Sequence, residues 1–345
     1  MKSIFKFAVL GAIVLTSCTK DEIVNQSTNL AVSFDTYVAK ATKAAPITGT
    51  SFVAGSTMGV YAYNTEAADW SGTNIDAIVK KPLINEKVTK EDSKWTYTNT
   101  AYYVKNEKIS FLAYAPYMES VQFADGKLEH QVSTALSDQK DLMIAVPVTN
   151  KTWDGNTATT PEKITFAFKH ALSQVKFKAK LKEAYTDYTI KVNSITLKAI
   201  QNIGKVSLTA SDINWSDLSG SQNYTMTFAT NTINNTAATE LTAEGGNGDV
   251  FMLLPQTLSN VTFTFNITAT PTTEAANAGK VEKTRNFDVI VSSGTWAASN
   301  IYAYTATLTM DFDAPAIEFG EPTITEWSGE TGTEINNDPT PAPEG

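Results

Sequence analysis

The stretch Val175-Lys-Phe-Lys-Ala-Lys-Leu-Lys182 alternates apolar and charged side chains without interruption. Successive side chains of a β-strand point to opposite faces, so the four lysines share one face and the apolar residues share the other: Val175, Phe177, Ala179 and Leu181. A second stretch, Val261–Ala269, alternates in the same way with threonine and asparagine between its apolar residues. Both patterns predict strands that bury one face.

Strand patterns occupy most of the chain. Tyr188–Ala199 alternates and then changes phase at Ser194-Ile195, which predicts a β-bulge there. No long helical pattern competes, and Gly, Asn, Asp and Pro separate the segments, so the sequence predicts an all-β fold of antiparallel β-sandwiches rather than a doubly wound α/β fold. The other predicted strands are Val32–Val38, Met58–Tyr63, Lys94–Thr98, Ile109–Ala115, Ile164–Lys169, Gly204–Thr209, Tyr224–Ala229, Val250–Leu254, Phe287–Val291, Ile301–Met310 and Ile317–Trp327.

A polar, turn-rich stretch divides the chain. Asn150–Pro161 precedes the strand that opens at Ile164, and clusters of turn-forming residues of this kind mark loops and boundaries. We therefore expect an N-terminal β-sandwich domain at residues 31–160 and a C-terminal one at residues 161–330. A long hairpin loop within one larger sheet is the alternative. Residues 331–345 have too little apolar surface to fold and are expected to form a flexible tail.

The N-terminus has the layout of a lipoprotein signal. Two lysines precede a short apolar run, Phe7–Leu15, which leads to a small-residue site ending on Cys18, the only cysteine of the chain. This layout predicts a signal peptide at residues 1–17, cleavage between Ser17 and Cys18, and a lipid on Cys18. A short transmembrane helix is the alternative, but the run is far below the roughly 20 residues that span a bilayer.

Residues 18–30 are interpreted as a linker. Three charged residues follow the anchor directly, Lys20, Asp21 and Glu22, and they resemble the export signal of surface lipoproteins in Bacteroidetes-type bacteria. The alternative is a solvated linker that carries no export signal, because charged polar segments are commonly disordered. The first interpretation predicts a surface-exposed lipoprotein of the cell outer membrane, attached through its N-terminal lipid.

Composition and motifs exclude several classes of function. The net charge is −9, so nucleic acid is not expected as a partner, because phosphate neutralisation needs clustered Lys and Arg. His130 and His170 are the only histidines, too few for a zinc cluster, and no zincin, nucleophile-elbow or P-loop motif occurs. We expect neither an enzyme nor a cofactor, and we expect His170 to satisfy backbone groups at a strand junction. The aromatic residues of the first half are expected in the core, with Trp70 on a loop.

Several short phrases along the chain, taken in their order and spacing, carry a resemblance to one family. Besides the lipobox cysteine, the phrases are Ala39–Ala44, Ile109–Pro116, Lys140–Ala145, Phe168–Val175, Leu253–Gln256, Gly294–Trp296, Tyr302–Tyr304 and Trp327–Gly329. Together they resemble the fimbrillin (Mfa-like) proteins, the type V pilins of Bacteroidetes-type bacteria. The resemblance covers Val32 to Trp327 and implies two transthyretin-like antiparallel β-sandwich domains in tandem, with polymerisation into surface fimbriae in many members.

The resemblance also implies a route of assembly. In the family, a trypsin-like protease removes the N-terminal strand together with the lipid, and an extended C-terminal segment of another subunit fills the groove by strand addition. Carried onto this chain, the cleavage falls between Lys43 and Ala44. The family's usual residue before the cut is arginine, so Lys43 departs from the pattern. The removed strand, Ala31–Val38, presents one face to the groove: Val32, Phe34, Thr36 and Val38.

The C-terminus departs further from a good donor strand. A donor needs alternating apolar residues, whereas beyond Trp327 the chain offers only Ile335 among glycine, glutamate, asparagine and proline. Either Ile317–Trp327 is itself the donor, or the protein is a tip subunit, an anchor or a monomeric lipoprotein.

The sequence thus favours a fimbrillin-like structural or adhesive subunit. Its expected partners are other fimbrial subunits, through strand exchange, and its expected location after processing is the fimbrium. The alternative is a non-polymerising glycan-binding or adhesive lipoprotein with a host or bacterial surface ligand. An enzyme ranks last, because no set of nucleophile, base and orienting residue is visible.

Overall fold

The computed structural model describes residues 30–38, 52–156, 161–228, 232–244, 249–309 and 317–327. Within these ranges the regular structure is almost entirely β-strand, with one short helix, α1 (Thr273–Asn277), and two single 3₁₀ turns, Ile75–Ala77 and Leu136–Asp138.

The strands fall into the two halves of the chain. Those of the first half are β1 (Phe34–Val38), β2 (Thr57–Glu66), β3 (Leu83–Lys90), β4 (Trp95–Tyr97), β5 (Lys108–Ala115), β6 (Phe123–Ala124), β7 (Lys127–Gln131), β8 (Met143–Ala145), β9 (Val148–Lys151) and β10 (Ile164–His170). Those of the second half are β11 (Ser173–Leu181), β12 (Tyr188–Ile200), β13 (Ile203–Ser207), β14 (Trp215–Ser219), β15 (Gln222–Thr227), β16 (Thr232–Ile233), β17 (Thr239–Glu240), β18 (Phe251–Leu253), β19 (Gln256–Pro271), β20 (Lys283–Trp296), β21 (Asn300–Leu308), β22 (Ile317–Phe319) and β23 (Thr323–Glu326).

Sheet I contains eight of the ten strands of the first half. Its strand order is β1-β10-β8-β5-β2-β3-β4, with β9 beside β5. Val60, Phe111 and Phe166 lie in a core on one of its faces, whereas Tyr61 and Leu112 lie in the core that extends through the rest of the molecule. Strands β2 and β5 are therefore buried on both faces, which explains why their sequences are continuous apolar runs.

Sheets III and IV form the sandwich of the second half. Sheet III has the order β17-β11-β21-β22, with β18 beside β11 and β23 beside β21; sheet IV has the order β15-β12-β19-β20, with β16 beside β12. Phe177 of β11 meets Phe263 of β19 edge to face, with ring centroids 5.8 Å apart. The lysines that alternate with Phe177 lie on the outer face of sheet III, as the alternation predicts. The predicted all-β fold with two β-sandwich-like domains is confirmed.

Two strand pairs run parallel within these mostly antiparallel sheets. Strand β1 pairs in parallel with β10, and β11 pairs in parallel with β21. Both pairs join segments far apart in the sequence, so neither is a hairpin. The second pair is the longer, with a register that runs from Gln174 opposite Ile301 to Leu181 opposite Leu308.

Sheet II connects the two halves of the chain. Its order is β14-β13-β7-β6, so β6 and β7 come from the first half and β13 and β14 from the second. It also packs on sheet I, because the rings of Tyr61 and Phe123 stack with centroids 4.2 Å apart. The chain changes from sheet I to sheet III between β10 and β11, at Ala171 and Leu172. Strand β10 thus pairs with the first half, although it follows the Asn150–Pro161 stretch.

Most predicted strands are present, with instructive differences. The bulge in β12 lies between Val192 and Ser194, one residue before the predicted position, and the Asn193 side chain there donates to Asn266 and Thr268 at 2.7 Å. The predicted strand Ile317–Trp327 is divided into β22 and β23. The alternation pattern did not predict eight of the described strands, most of them short: β3, β6, β7, β8, β9, β14, β16 and β17.

Candidate functional site

The four residues predicted to share the inner face of the N-terminal strand alternate with exposed residues in the structure. Val32, Phe34 and Val38 are almost completely buried, with exposed fractions of 2%, 3% and 3%. Thr36 is half-buried, and the residues between these four are exposed. Strand β1 therefore contributes one side of the core beneath sheet I, and its other face is open to solvent.

The main chain of β1 is attached on one side along its length and on the other side only at its start. It runs parallel to β10 with Phe34 opposite Ile164 and Val38 opposite Phe168. Before the strand, Val32 N donates to Ala101 O at 2.9 Å and Tyr103 N donates to Leu30 O at 3.0 Å. The strand therefore lies in a slot between β10 and the segment that follows β4.

Aromatic rings form the pocket of Phe34. Its ring stacks on Phe166 at 5.7 Å, meets Phe111 edge to face at 6.0 Å, and tilts against Tyr97 at 5.2 Å. The Tyr97 hydroxyl donates to Val32 O at 2.7 Å, and burial raises the pKa of Tyr97 to about 12, so this hydroxyl keeps its proton at physiological pH. The pocket thus holds the side chain and the main chain of β1 together.

The buried side chain of Glu86 fixes the segment after β4, which lies on the side of β1 opposite β10. Glu86 of β3 accepts the backbone N–H groups of Thr98 and Asn99 at 3.1 and 3.0 Å, and the Asn99 amide at 2.7 Å. These bonds fix the turn after β4, which carries Ala101 towards β1. Glu86 therefore has a positioning role that its place in the sequence did not suggest.

The other predicted site residues lie outside the described residues. These are the signal-cleavage and lipid residues Ser17 and Cys18, the export residues Lys20, Asp21 and Glu22, and the maturation pair Lys43 and Ala44. The maturation pair falls between Val38 and Phe52, and both of these residues are buried in the core of sheet I. The Phe52 ring meets Trp95 at 5.5 Å and Phe168 at 5.2 Å.

The segment Ile317–Trp327, one of the candidate donors, lies along β21 of its own chain. Strand β22 pairs with the end of β21 and β23 pairs with its beginning. Trp327 stacks on His170, with ring centroids 4.1 Å apart and planes 9° apart. The sequence did not predict this contact, because the two residues are far apart along the chain.

His170 is buried, and His130 is half-buried. The Nδ1 atom of His170 lies 2.8 Å from Asp141 Oδ2, so its side chain pairs with a carboxylate and not with the backbone groups that we expected. Burial lowers the pKa of His130 to about 4, so this ring is neutral at physiological pH. Among the described residues, no group of three or more His, Cys, Asp and Glu residues is placed to hold a metal ion.

The aromatic residues of the first half mostly pack in the cores. Tyr61, Tyr63 and Tyr114 are buried, and Trp70, which follows β2 in a loop, is half-buried against Tyr63 with ring centroids 5.6 Å apart. Tyr102 is the most exposed of the tyrosines, at 44%. No helix in the described ranges combines the length and apolar character needed to cross a membrane.

Comparison with known proteins identifies relatives over most of the chain. A family model described as fimbrillin-like matches residues 42–327. The fimbrium subunit Fim1C of Phocaeicola vulgatus is 26% identical over 188 residues, which are 48% of this chain and 48% of that protein. The match thus spans about half the length of this curated relative.

Solved structures share the fold. A fimbrial protein from Bacteroides vulgatus matches with a TM-score of 0.63 and 19% identity over 87% of this chain and 100% of that chain. A candidate cell adhesion protein from Bacteroides ovatus matches with a TM-score of 0.54 and 17% identity over 88% of this chain and 99% of that chain. At these identities the likeness is one of fold.

Proposed function

Because this chain belongs to the fimbrillin-like family, a structural and non-enzymatic family, we propose that it is a structural or adhesive subunit of surface fimbriae. The similarity to a fimbrium subunit and to a fimbrial protein supports this proposal. Its partners are then other fimbrial subunits, of the same or a related kind, and its location is the cell surface and the fimbrium.

The observation that carries the proposal is the way β1 is inserted. Strand β1 pairs with β10 and not with β2, the next strand of the chain. Its buried face consists of separate side chains that enter pockets in a core built by other strands, as Phe34 does. A strand of another subunit that runs parallel to β10 would reproduce these contacts, because strand addition uses main-chain hydrogen bonds for affinity and alternate side chains for specificity.

The proposal includes export as a lipoprotein. Residues 1–17 are the signal peptide, Cys18 carries the lipid, and Lys20, Asp21 and Glu22 direct the chain to the outer face of the outer membrane. The two domains expected at residues 31–160 and 161–330 are divided in this proposal after β10 (Ile164–His170), because β10 pairs with strands of the first half. Residues 331–345 form the tail. Cleavage between Lys43 and Ala44 then releases the lipid together with the strand that carries Val32, Phe34, Thr36 and Val38.

Removal of β1 would make assembly favourable. It would expose the aromatic pocket of Phe34 and the edge of β10, and an exposed apolar groove beside an unpaired edge is a strong site for strand pairing. In this proposal the C-terminal segment Ile317–Trp327 of a second subunit is the donor. Its residues 317–319 alternate between half-buried and exposed side chains, and a strand that fills pockets needs such an alternation.

The test is limited proteolysis followed by size measurement. Mild trypsin treatment of the mature protein should cut first after Lys43 or Lys40, and the product should form oligomers that light scattering and electron microscopy detect. The variant with Lys40→Ala and Lys43→Ala should resist this first cut and stay monomeric. A matched control with Lys80→Ala and Lys81→Ala should behave as the parent does. A cut parent that stays monomeric at high concentration would overturn strand replacement and favour the monomeric adhesive lipoprotein.

A further inference from the structure

A groove lies at the surface of strands β3 and β4, at the edge of sheet I. Its volume is about 760 Å³, within the range of roughly 300–1,000 Å³ that is usual for ligand pockets. The strand residues that line it alternate with Val88 and Trp95, which lie in the core on the other face of the sheet. Residues along the groove include Lys87 and Thr89 of β3, Thr96 of β4, Thr98 and Asn99 beyond it, and Tyr117 beyond β5.

One wall of the groove is the turn that carries Thr98 and Asn99. The buried carboxylate of Glu86 holds this turn through the two backbone N–H groups and the Asn99 amide described above. The side chains of Thr98 and Asn99 nevertheless remain exposed. This wall is therefore fixed from below while its polar groups face solvent.

The other wall is the loop that carries Tyr117. Asn85 has a left-handed backbone with φ of 48°; its side chain accepts from the Tyr114 hydroxyl at 2.6 Å and donates to Met118 O at 3.0 Å. Burial raises the pKa of Tyr114 to about 12, so its hydroxyl keeps the proton that it donates. Tyr117 N donates to Thr57 Oγ1 at 3.2 Å. Asn85 and Glu86, which are neighbours in β3, thus each fix one wall of the groove.

Lys87 gives the groove a positive charge that the protein itself does not neutralise. Its Nζ lies 5.6 Å from the centroid of the Tyr117 ring, a geometry that stabilises the ammonium by a cation–π interaction. Within the described ranges, no carboxylate lies within 4.0 Å of this ammonium. Glu86 is the one acid among the described residues that line the groove, and its oxygens already accept three N–H groups.

We propose that this groove binds an acidic oligosaccharide and that Lys87 pairs with the carboxylate of a sialic or uronic acid unit. Threonine hydroxyls and the Asn99 carboxamide offer hydrogen bonds to sugar hydroxyls, whereas an apolar ligand would find few side chains to pack on. A charge-assisted hydrogen bond to Lys87 is stronger than a neutral one. The fixed walls reduce the cost of ordering the site on binding. The inference names a ligand for the adhesive role proposed above and so rests on that role.

The experiment applies the uncleaved mature chain, with Cys18→Ala, to an array of oligosaccharides that end in a sialic or uronic acid. The same oligosaccharides without the acidic unit lie beside them, together with a glutamate-rich peptide. At least one acidic oligosaccharide should bind, and loss of its acidic unit should weaken binding by about tenfold or more, as expected for a hydrogen bond to a charged group. Added salt should weaken binding further, because it screens the ion pair.

Substitutions then assign the binding to the groove. Lys87→Ala should weaken the dissociation constant for the bound oligosaccharide by about tenfold or more, and Lys87→Arg should restore most of the affinity. Lys94→Ala is the matched control, since this exposed lysine pairs with Glu91 outside the groove, and it should bind as the parent does. Unchanged thermal unfolding of Lys87→Ala would show that the variant is folded.

Three results would overturn the inference: no acidic oligosaccharide binds, Lys87→Ala binds as well as the parent, or the neutral oligosaccharides bind equally well. Stronger binding of the glutamate-rich peptide would also overturn it and would favour an acidic protein partner. No protease is added, so β1 stays in place. A parent that binds no oligosaccharide but forms oligomers after the trypsin cut would therefore lose only the ligand assignment, and the structural role would stand.

Discussion

Phe34 shows how one side chain joins the fold to the proposed assembly. It is buried among Tyr97, Phe111 and Phe166, so it contributes to the core while it lies on the strand that is proposed to leave. Tyr37, on the same strand, points outwards and is 37% exposed. The alternation of the sequence predicted both orientations correctly, because the period of a strand is two residues.

Phe34→Ala should destabilise the uncleaved protein. Truncation of a buried phenylalanine leaves a cavity and costs about 3–5 kcal/mol of the free energy of unfolding. Urea denaturation should show a lower midpoint with an unchanged slope. Tyr37→Ala, the matched control, should cost less than about 1 kcal/mol because the side chain is largely exposed. Equal effects of the two changes would contradict the one-sided burial of β1.

Other residues carry constraints that no sequence pattern reveals. A side chain on Gly59 would meet the ring of Tyr114, because a Cβ there would lie 2.4 Å from that ring. Glu86 looks like a surface residue in the sequence, yet it is buried and holds the turn at Thr98 and Asn99. Both roles depend on neighbours from distant segments, so they became apparent only in the folded chain.

At the scale of elements, prediction succeeded where one face of a strand is buried and the other is polar. Strands β11, β12 and β19 alternate in this way, and all three were predicted. Strand β7 has the sequence Lys-Leu-Glu-His-Gln with Leu128 as its one buried residue, and β14 has none. Such short, polar strands are defined by their partners in sheet II and not by their own periodicity.

Pairing between distant elements was not predictable from periodicity. To predict the parallel pairs β1–β10 and β11–β21, one must know which strands are neighbours in a sheet. Alternation of apolar and polar residues indicates only which face of a strand is buried. The interruption of the C-terminal segment at Gly320–Pro322 was also missed, although proline within a strand pattern is a known sign of an edge strand.

The Trp327 stack should control how firmly β23 is held. Trp327→Ala removes an aromatic contact worth about 0.5–1.5 kcal/mol beyond its buried area, so amide hydrogen exchange of residues 323–326 should accelerate by about tenfold. Exchange in β19, which does not contact the segment's end, should not change. Trp327→Phe keeps a ring over His170 and should restore most of the protection. Unchanged exchange in Trp327→Ala would show that the ladder alone holds the strand.

At the scale of the whole molecule, the fold class followed from composition and from the spacing of the strand patterns. The pattern of many short strands separated by turn residues predicted two β-sandwich domains. The position of sheet II, which combines strands of both halves, could not be anticipated, because its strands lie far apart along the sequence.

Cys18→Ala should release the protein from the membrane. The parent should partition with membranes and incorporate labelled fatty acid, whereas the variant should be found in the soluble fraction without label, because a lipid supplies the membrane affinity of such a chain. Ser27→Ala, a matched change in the linker, should leave the distribution of the parent unaltered. Identical fractionation of Cys18→Ala and the parent, without label in either, would remove the lipoprotein assignment.

Sheet II has a mechanical consequence for a subunit in a filament. The ladder between Lys127–Gln131 and Ile203–Ser207 ties the first half of the chain to the second. In the proposed filament, tension that pulls the two halves of the subunit apart would act on the hydrogen bonds of this ladder as well as on the two residues that connect β10 to β11. We therefore expect the two halves to separate only after the ladder has opened.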